Sequence, residues 1–139
     1  NGGLRILGSD VNTDVLESAV HGCFAEELLS PIPATFSKRY FDLASDKNNP
    51  CHRIKPEIQK LIQFRQFNLM SSDYPIATKF QLIFCRNVLY YLQSERREFL
   101  IDKLVDHLEE GGWLVLGITE LGYKIDKMKN RSFSIYQKI

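Results

Sequence analysis

The sequence has no CxxC pair and no cluster of cysteine with histidine: Cys23, Cys51 and Cys85 are scattered, as are His21, His52 and His107. That spacing offers no zinc site, so no metal is expected. An odd, scattered set of cysteines also suits a reducing cytoplasm better than a disulfide framework. Excess charge of one sign is missing too. The net charge is +1, which gives nucleic acid no electrostatic footing as the main partner. No apolar run approaches membrane-spanning length and no signal peptide is visible, so membrane insertion is not expected. Internal repeats and low-complexity tracts are absent.

What remains is an ordinary globular composition, 44% hydrophobic and 25% charged over 139 residues. That length suits one domain with a real core and is short for two. Leu4 to Ser9 reads as a short strand centred on Ile6 and Leu7. A helix follows, capped by Asn12 or Thr13, with Val15, Leu16, Ala19 and Val20 as its apolar face and Gly22 as its stop. Phe24 to Leu29 reads as a short helix ended by Pro31 and Pro33. Thr35 to Asp42 reads as a helical turn entering a loop or edge strand, and Ser45 to Pro50 as a loop. Arg53 to Leu61 fits either a turn of helix or an edge strand, and Ile62 to Phe67 a strand.

Ser71 to Lys79 reads as a loop, and Phe80 to Cys85 as a strand whose run of four apolar residues fits burial on both faces. Ser94 caps a helix that carries Phe99, Leu100, Leu104, Val105 and Leu108 on one side and stops at Gly111-Gly112. Trp113 to Leu116 is another strand, Tyr123 to Asn130 a solvated connection, and Ser132 to Gln137 a closing strand with Phe133 and Ile135. Strands alternating with helices imply an α/β fold with a largely parallel sheet.

Four strand ends carry polar residues: Asp10, Asn68, Arg86-Asn87 and Glu120. In a parallel sheet these ends lie on one edge, where open α/β sheets bind ligands. A carboxylate there takes two ribose hydroxyls, and an amide at the next strand end addresses a base edge. Taken singly, each position also reads as ordinary loop polarity, and Arg86-Asn87 reads equally well as a strand terminator.

Several segments together resemble the bacterial chemotaxis receptor methyltransferases of the CheR type. Ile6-Leu7-Gly8-Ser9-Asp10-Val11-Asn12 with Val15-Leu16, Ala19 and Gly22 is similar to their "TDI(D/N)…VL..A..G" segment. Arg39-Tyr40-Phe41 looks like "RYF", and Phe64 with Asn68-Leu69 like "F…NL". Phe84-Cys85-Arg86-Asn87-Val88-Leu89-Tyr90-Tyr91-Leu92 closely resembles "FCRNV.IYF", the most specific of these signatures. Leu108 to Gly112 and Gly117 to Glu120 look like "L.pGG" and "G.SE". The matches run in order over essentially the whole chain.

The resemblance implies a class I, Rossmann-like methyltransferase sheet, mostly parallel with an antiparallel last strand. Residues 1–139 would form part of a domain that uses S-adenosylmethionine, with 35–62 as a small subdomain insertion. The implied activity is O-methylation of glutamate side chains on the cytoplasmic domains of chemoreceptors, in the cytoplasm, leaving S-adenosylhomocysteine. By resemblance, Asp10 would bind the ribose hydroxyls, and Asn68 and Leu69 would lie beside the adenine. Arg86 and Asn87 would form the wall near the methionine part and the reacting methyl. Tyr91 would orient the substrate carboxylate, with Arg86 beside it. Tyr90 reads as packing and Glu120 as structural. No obvious nucleophile or His/Asp pair is present, as methyl transfer to an ionised carboxylate requires neither.

Two departures qualify the resemblance. The family's N-terminal helical domain, and its first strand with the "GC..GEE" loop, have no counterpart here. The family's sheet places that strand between its second and fourth. The expectation is therefore a truncated domain, or a sheet completed by strand exchange or dimerisation, and weak or no cofactor binding by this chain alone. The stretch from Asp42 to Arg53 also lacks the glycine-rich loop with which some members dock a receptor tail. The alternative reading is a non-catalytic interaction module on a degenerate methyltransferase fold.

Overall fold

The structure is a computed structural model that describes residues 3–44, 50–120 and 122–139. The loop expected over Ser45–Pro50 lies, apart from Pro50, outside the described residues. The chain divides into two compact units, Asn1–Asn68 and Leu69–Ile139.

In the first unit, strand β1 (Ile6–Asp10) leads into helix α1 (Thr13–His21). Asn12 caps this helix by accepting from the N–H groups of Asp14 and Val15, and Gly22 ends it at φ 64°. Both sequence signals were thus read correctly, because each supplies what a helix end lacks: an acceptor for free N–H groups and a left-handed residue. Next come β2 (Cys23–Phe24), α2 (Glu26–Leu29), α3 (Ala34–Tyr40), β3 (Phe41–Ala44), β4 (Cys51–Ile54), α4 (Pro56–Gln59) and β5 (Ile62–Gln66). β1 and β5 pair in parallel, with Asp10 opposite Gln66. Gly8 permits this arrangement, since a Cβ there would lie 2.8 Å from the Phe64 ring. β2, β4 and β3 form a separate antiparallel sheet in that order.

Within that small sheet Cys23 and Cys51 are joined as a disulfide, with Cα atoms 5.6 Å apart. This departs from the reading that the scattered cysteines suit a reducing cytoplasm better than a disulfide framework. Their spacing of 28 residues says nothing of contact; the pairing of β2 with β4 creates it.

The second unit contains β6 (Phe80–Cys85), a 3-10 turn (Leu89–Tyr91), α5 (Ser94–Asp106), β7 (Leu108–Leu116), β8 (Met128–Ser132) and β9 (Ile135–Lys138). Its sheet runs β6-β7-β9-β8. β6 and β7 are parallel, and β9 pairs antiparallel with β7. The core packs Leu100, Ile101, Leu104 and Val105 of α5 against Cys85, Leu114, Leu116 and Tyr136. Burial of such side chains contributes roughly 1.5–3 kcal/mol each.

Three expectations for this unit need correction. β6 is buried on one face only. Cys85 is inside, whereas Leu82 is 47% and Phe84 67% exposed, because α5 covers just the side that Cys85 faces. α5 ends at Asp106 and does not run to Gly111-Gly112, since Leu108 leaves the helix to pair with Phe80. Gly111 and Gly112 lie inside β7, where the register shifts. Finally, part of the supposed solvated connection is β8, which forms a hairpin with β9, and Phe133 sits at the turn with φ 40°.

The architecture is α/β with parallel strand pairs and an antiparallel closing strand, as the sequence implies. β1 has one strand partner, β5, and β6 has one, β7, among the described residues.

Candidate functional site

The first unit places Asp10 at the carboxyl end of β1, half-buried. Its Oδ1 accepts from the Asn12 N–H at 2.9 Å, so the β1–α1 turn is closed by the same segment that caps the helix. Gln66 donates through Nε2 to the Val11 carbonyl at 2.9 Å and ties the end of β5 to this turn. No cation pairs with Asp10 among the described residues. Its second oxygen takes part in no hydrogen bond or ion pair among the described residues. Asn68 follows two residues after β5, at the same sheet edge, and is exposed. A concavity of about 430 Å³ between α1 and Phe64 is lined by neither residue.

The second unit holds the other predicted residues. Leu69 packs partly against its core. Arg86 and Asn87 follow β6 directly, and Arg86 is exposed with no ion pair among the described residues. Asn87 adopts φ 60°, a left-handed conformation that asparagine tolerates better than most residues. The 3-10 turn then sends Leu89 fully inside and Tyr90 and Tyr91 outward, 67% and 82% exposed. Their rings meet edge to face with centroids 5.6 Å apart. Asn87, Tyr90, Tyr91 and Thr119 line a concavity of about 270 Å³. Tyr90 therefore belongs to the surface of the site, which corrects its reading as packing.

Under this surface lies Glu120, 1% exposed. Its carboxylate accepts from the backbone N–H groups of Gly117, Asn87 and Tyr90. Sequence reading marked Glu120 as structural without finding these donors, because two of the three come from a turn 30 or more residues away. Thr119 was missed as a lining residue and carries no sequence signal beyond its place beside Glu120.

The one thiol nearby is inert. Burial, and then the Glu120 charge, push Cys85 up to about 11 from its ordinary 9.0. It is a buried thiol, not a nucleophile. No group of three or more histidine, cysteine, aspartate or glutamate side chains able to hold a metal occurs among the described residues. The described lining of the concavity offers an amide and three hydroxyls for hydrogen bonding, and no carboxylate, imidazole or thiol.

Residues 1–136 match the family model described as "CheR methyltransferase, SAM binding domain". Over 117 residues the chain is 34% identical to "Chemotaxis protein methyltransferase 2" of Pseudomonas aeruginosa, covering 84% of this chain and 42% of that protein. It is 30% identical to the "Chemotaxis protein methyltransferase" of Borreliella burgdorferi, covering 84% and 40%. With the protein of the same name from Escherichia coli the identity is 29%, covering 84% and 41%. The chain thus spans about two-fifths of the length of these curated relatives. Among solved structures, "The structure of PKMT2 from Rickettsia typhi in complex with AdoHcy" matches at TM-score 0.48 and 13% identity, covering 81% of this chain and 16% of that one.

Proposed function

This chain belongs to the CheR methyltransferase family through its S-adenosylmethionine-binding domain, and on that premise we propose that it is part of a protein-glutamate O-methyltransferase acting on chemoreceptors. S-adenosylmethionine, when bound, supplies a methyl group activated by its sulfonium. Asp10 would hold the ribose hydroxyls, and Asn68 and Leu69 would flank the adenine. Arg86 and Asn87 would wall the methionine end, and Tyr91, with Arg86, would orient the incoming carboxylate.

One observation carries this reading. The turn from Arg86 to Tyr91 opens a concavity lined, among the described residues, by the amide of Asn87 and the hydroxyl-bearing Tyr90, Tyr91 and Thr119, without a carboxylate or imidazole to act as general base. Glutamate has a reference pKa of about 4.3 and is already ionised near neutrality, so none is needed. The site's work is to align carboxylate, methyl and sulfur, which is catalysis by positioning. The substrates on this reading are the cytoplasmic domains of chemoreceptors, and the location is the cytoplasm. Among the described residues no helix is long and apolar enough to cross a membrane.

The test is methyl transfer by the full-length protein from labelled S-adenosylmethionine to purified receptor cytoplasmic domains. Base-labile label on glutamate is expected. Cofactor binding without any base-labile label would favour a non-catalytic interaction module.

A further inference from the structure

Buried carboxylates are costly unless paired or hydrogen-bonded. Glu120 has no cation partner among the described residues and instead meets three backbone donors. Oε2 accepts from Gly117 at 2.7 Å and from Asn87 at 3.2 Å, and Oε1 accepts from Tyr90 at 3.2 Å. Its own N–H donates to the Gly117 carbonyl at 3.0 Å, closing a tight turn after β7. The side chain thus bolts the turn after β6 to the turn after β7. An apolar residue filling the same space would leave three N–H groups without an acceptor, at roughly 1–3 kcal/mol each. Two of those donors belong to residues that line the concavity, and one of them, Asn87, is held at positive φ.

We propose that Glu120 is the positioning residue of the methyl-transfer site: it fixes the backbone that presents Asn87, Tyr90 and Tyr91, and touches neither reactant. The proposal rests on the function proposed above for the same concavity. At 1% exposure, with both oxygens turned to backbone donors, Glu120 is out of a substrate's reach. Its effect passes through the turn.

Glu120→Gln keeps the volume and replaces one acceptor oxygen by a donor, so at least one of the three N–H groups loses its partner. In this chain, amide hydrogen exchange at Asn87 or Tyr90 is expected to quicken roughly tenfold or more, while Tyr136 in the core is unchanged. In the full-length protein, turnover is expected to fall roughly 10–100-fold, and S-adenosylhomocysteine affinity, which feels the change only through Asn87, to fall clearly less. Unchanged exchange at both turn amides overturns the proposal, as does wild-type turnover. So does a joint fall of turnover and cofactor affinity with faster exchange at Tyr136, because Glu120 would then only hold the fold. If Glu120→Gln fails to fold, Glu120→Asp replaces it; this keeps the charge but falls one methylene short, and the same split is expected. A wild-type protein that methylates nothing refutes the proposed function, and the exchange measurement still decides the positioning.

Discussion

A Cβ on Gly117 would stand 2.7 Å from Oδ1 of Asn87 and 2.9 Å from its backbone nitrogen. The two strand-end turns meet at a residue whose lack of a side chain is what lets them meet. Gly117→Ala must push Asn87 or Glu120 aside, and is expected to cost roughly 1–3 kcal/mol in urea unfolding. Turnover of the full-length protein should drop with it. Gly111→Ala is the comparison: its Cβ meets nothing within 4 Å, but its φ of 77° imposes strain of about 1–2 kcal/mol. It should lose stability and keep cofactor binding and turnover. Equal losses of turnover in both variants would show that Gly117 has no special bearing on the site.

Tyr91 lines the concavity and is 82% exposed. A hydrogen bond to a charged partner is worth roughly 1.5–3 kcal/mol, so Tyr91→Phe is expected to lower kcat/KM for receptor about 10–100-fold. S-adenosylhomocysteine affinity, measured by calorimetry, should not change. Turnover within about twofold of wild type would remove Tyr91 from the substrate contact.

At the other unit's sheet edge, Asp10 has one oxygen engaged by Asn12 and no cation partner among the described residues. Asp10→Asn keeps the Asn12 contact within reach and turns one acceptor into a donor. Cofactor affinity of the full-length protein should fall roughly tenfold or more. Unaltered affinity would mean that the ribose lies elsewhere.

Sequence reading recovered the segments whose ends carry their own signals. Asn12 and Gly22 bound α1 because capping and left-handed turns are local matters. The end of β6 at Cys85 was legible because a charge and an amide, Arg86-Asn87, interrupt an apolar run. Reading failed where tertiary pairing decides. β8 carries Lys129, Asn130 and Arg131 with no apolar alternation, and becomes a strand because β9 lies beside it. Leu108 continues the helical spacing of α5, yet its partner is Phe80. Glu120 was visible as a strand-end acid; its three donors were not, since no local rule joins positions 87, 90 and 117.

Cys85 gives the fold an alkaline weakness whose sign can be worked out. Its thiol titrates near 9.0 in the unfolded chain and at about 11 in the folded one, through burial first and Glu120 second. Between those values the unfolded chain binds fewer protons than the folded chain, so stability falls as pH rises. The contribution is fully present below pH 9.0 and gone above about 11. Tyr74 shifts the same way, to about 12, through burial first and the Cys85 charge second, so a Cys85 variant reads the thiol together with its effect on Tyr74. Cys85→Ala starts less stable because of its cavity. Its deficit against wild type should shrink by on the order of 1–2 kcal/mol between pH 9 and 11. A constant deficit across that range would place the thiol's titration at its ordinary value.

The Cys23–Cys51 pair sets the structure against the cytoplasmic location proposed here, because reducing compartments keep such pairs open. The two are compatible if the pair is a dithiol in the cell and closes once exposed to oxidant. The strands hold the Cα atoms 5.6 Å apart, inside the range that a disulfide spans without backbone movement. Protein purified in air should therefore titrate one thiol in denaturant, that of Cys85, and three after reduction. Closing a loop of this length restricts the unfolded chain by about 3–4 kcal/mol in the chain-entropy model. The oxidised protein should accordingly unfold at higher urea than the reduced protein, and Cys51→Ala should abolish the difference. Three thiols without reductant would show that the pair remains open in air, and equal urea midpoints would show that closing it does nothing for the fold.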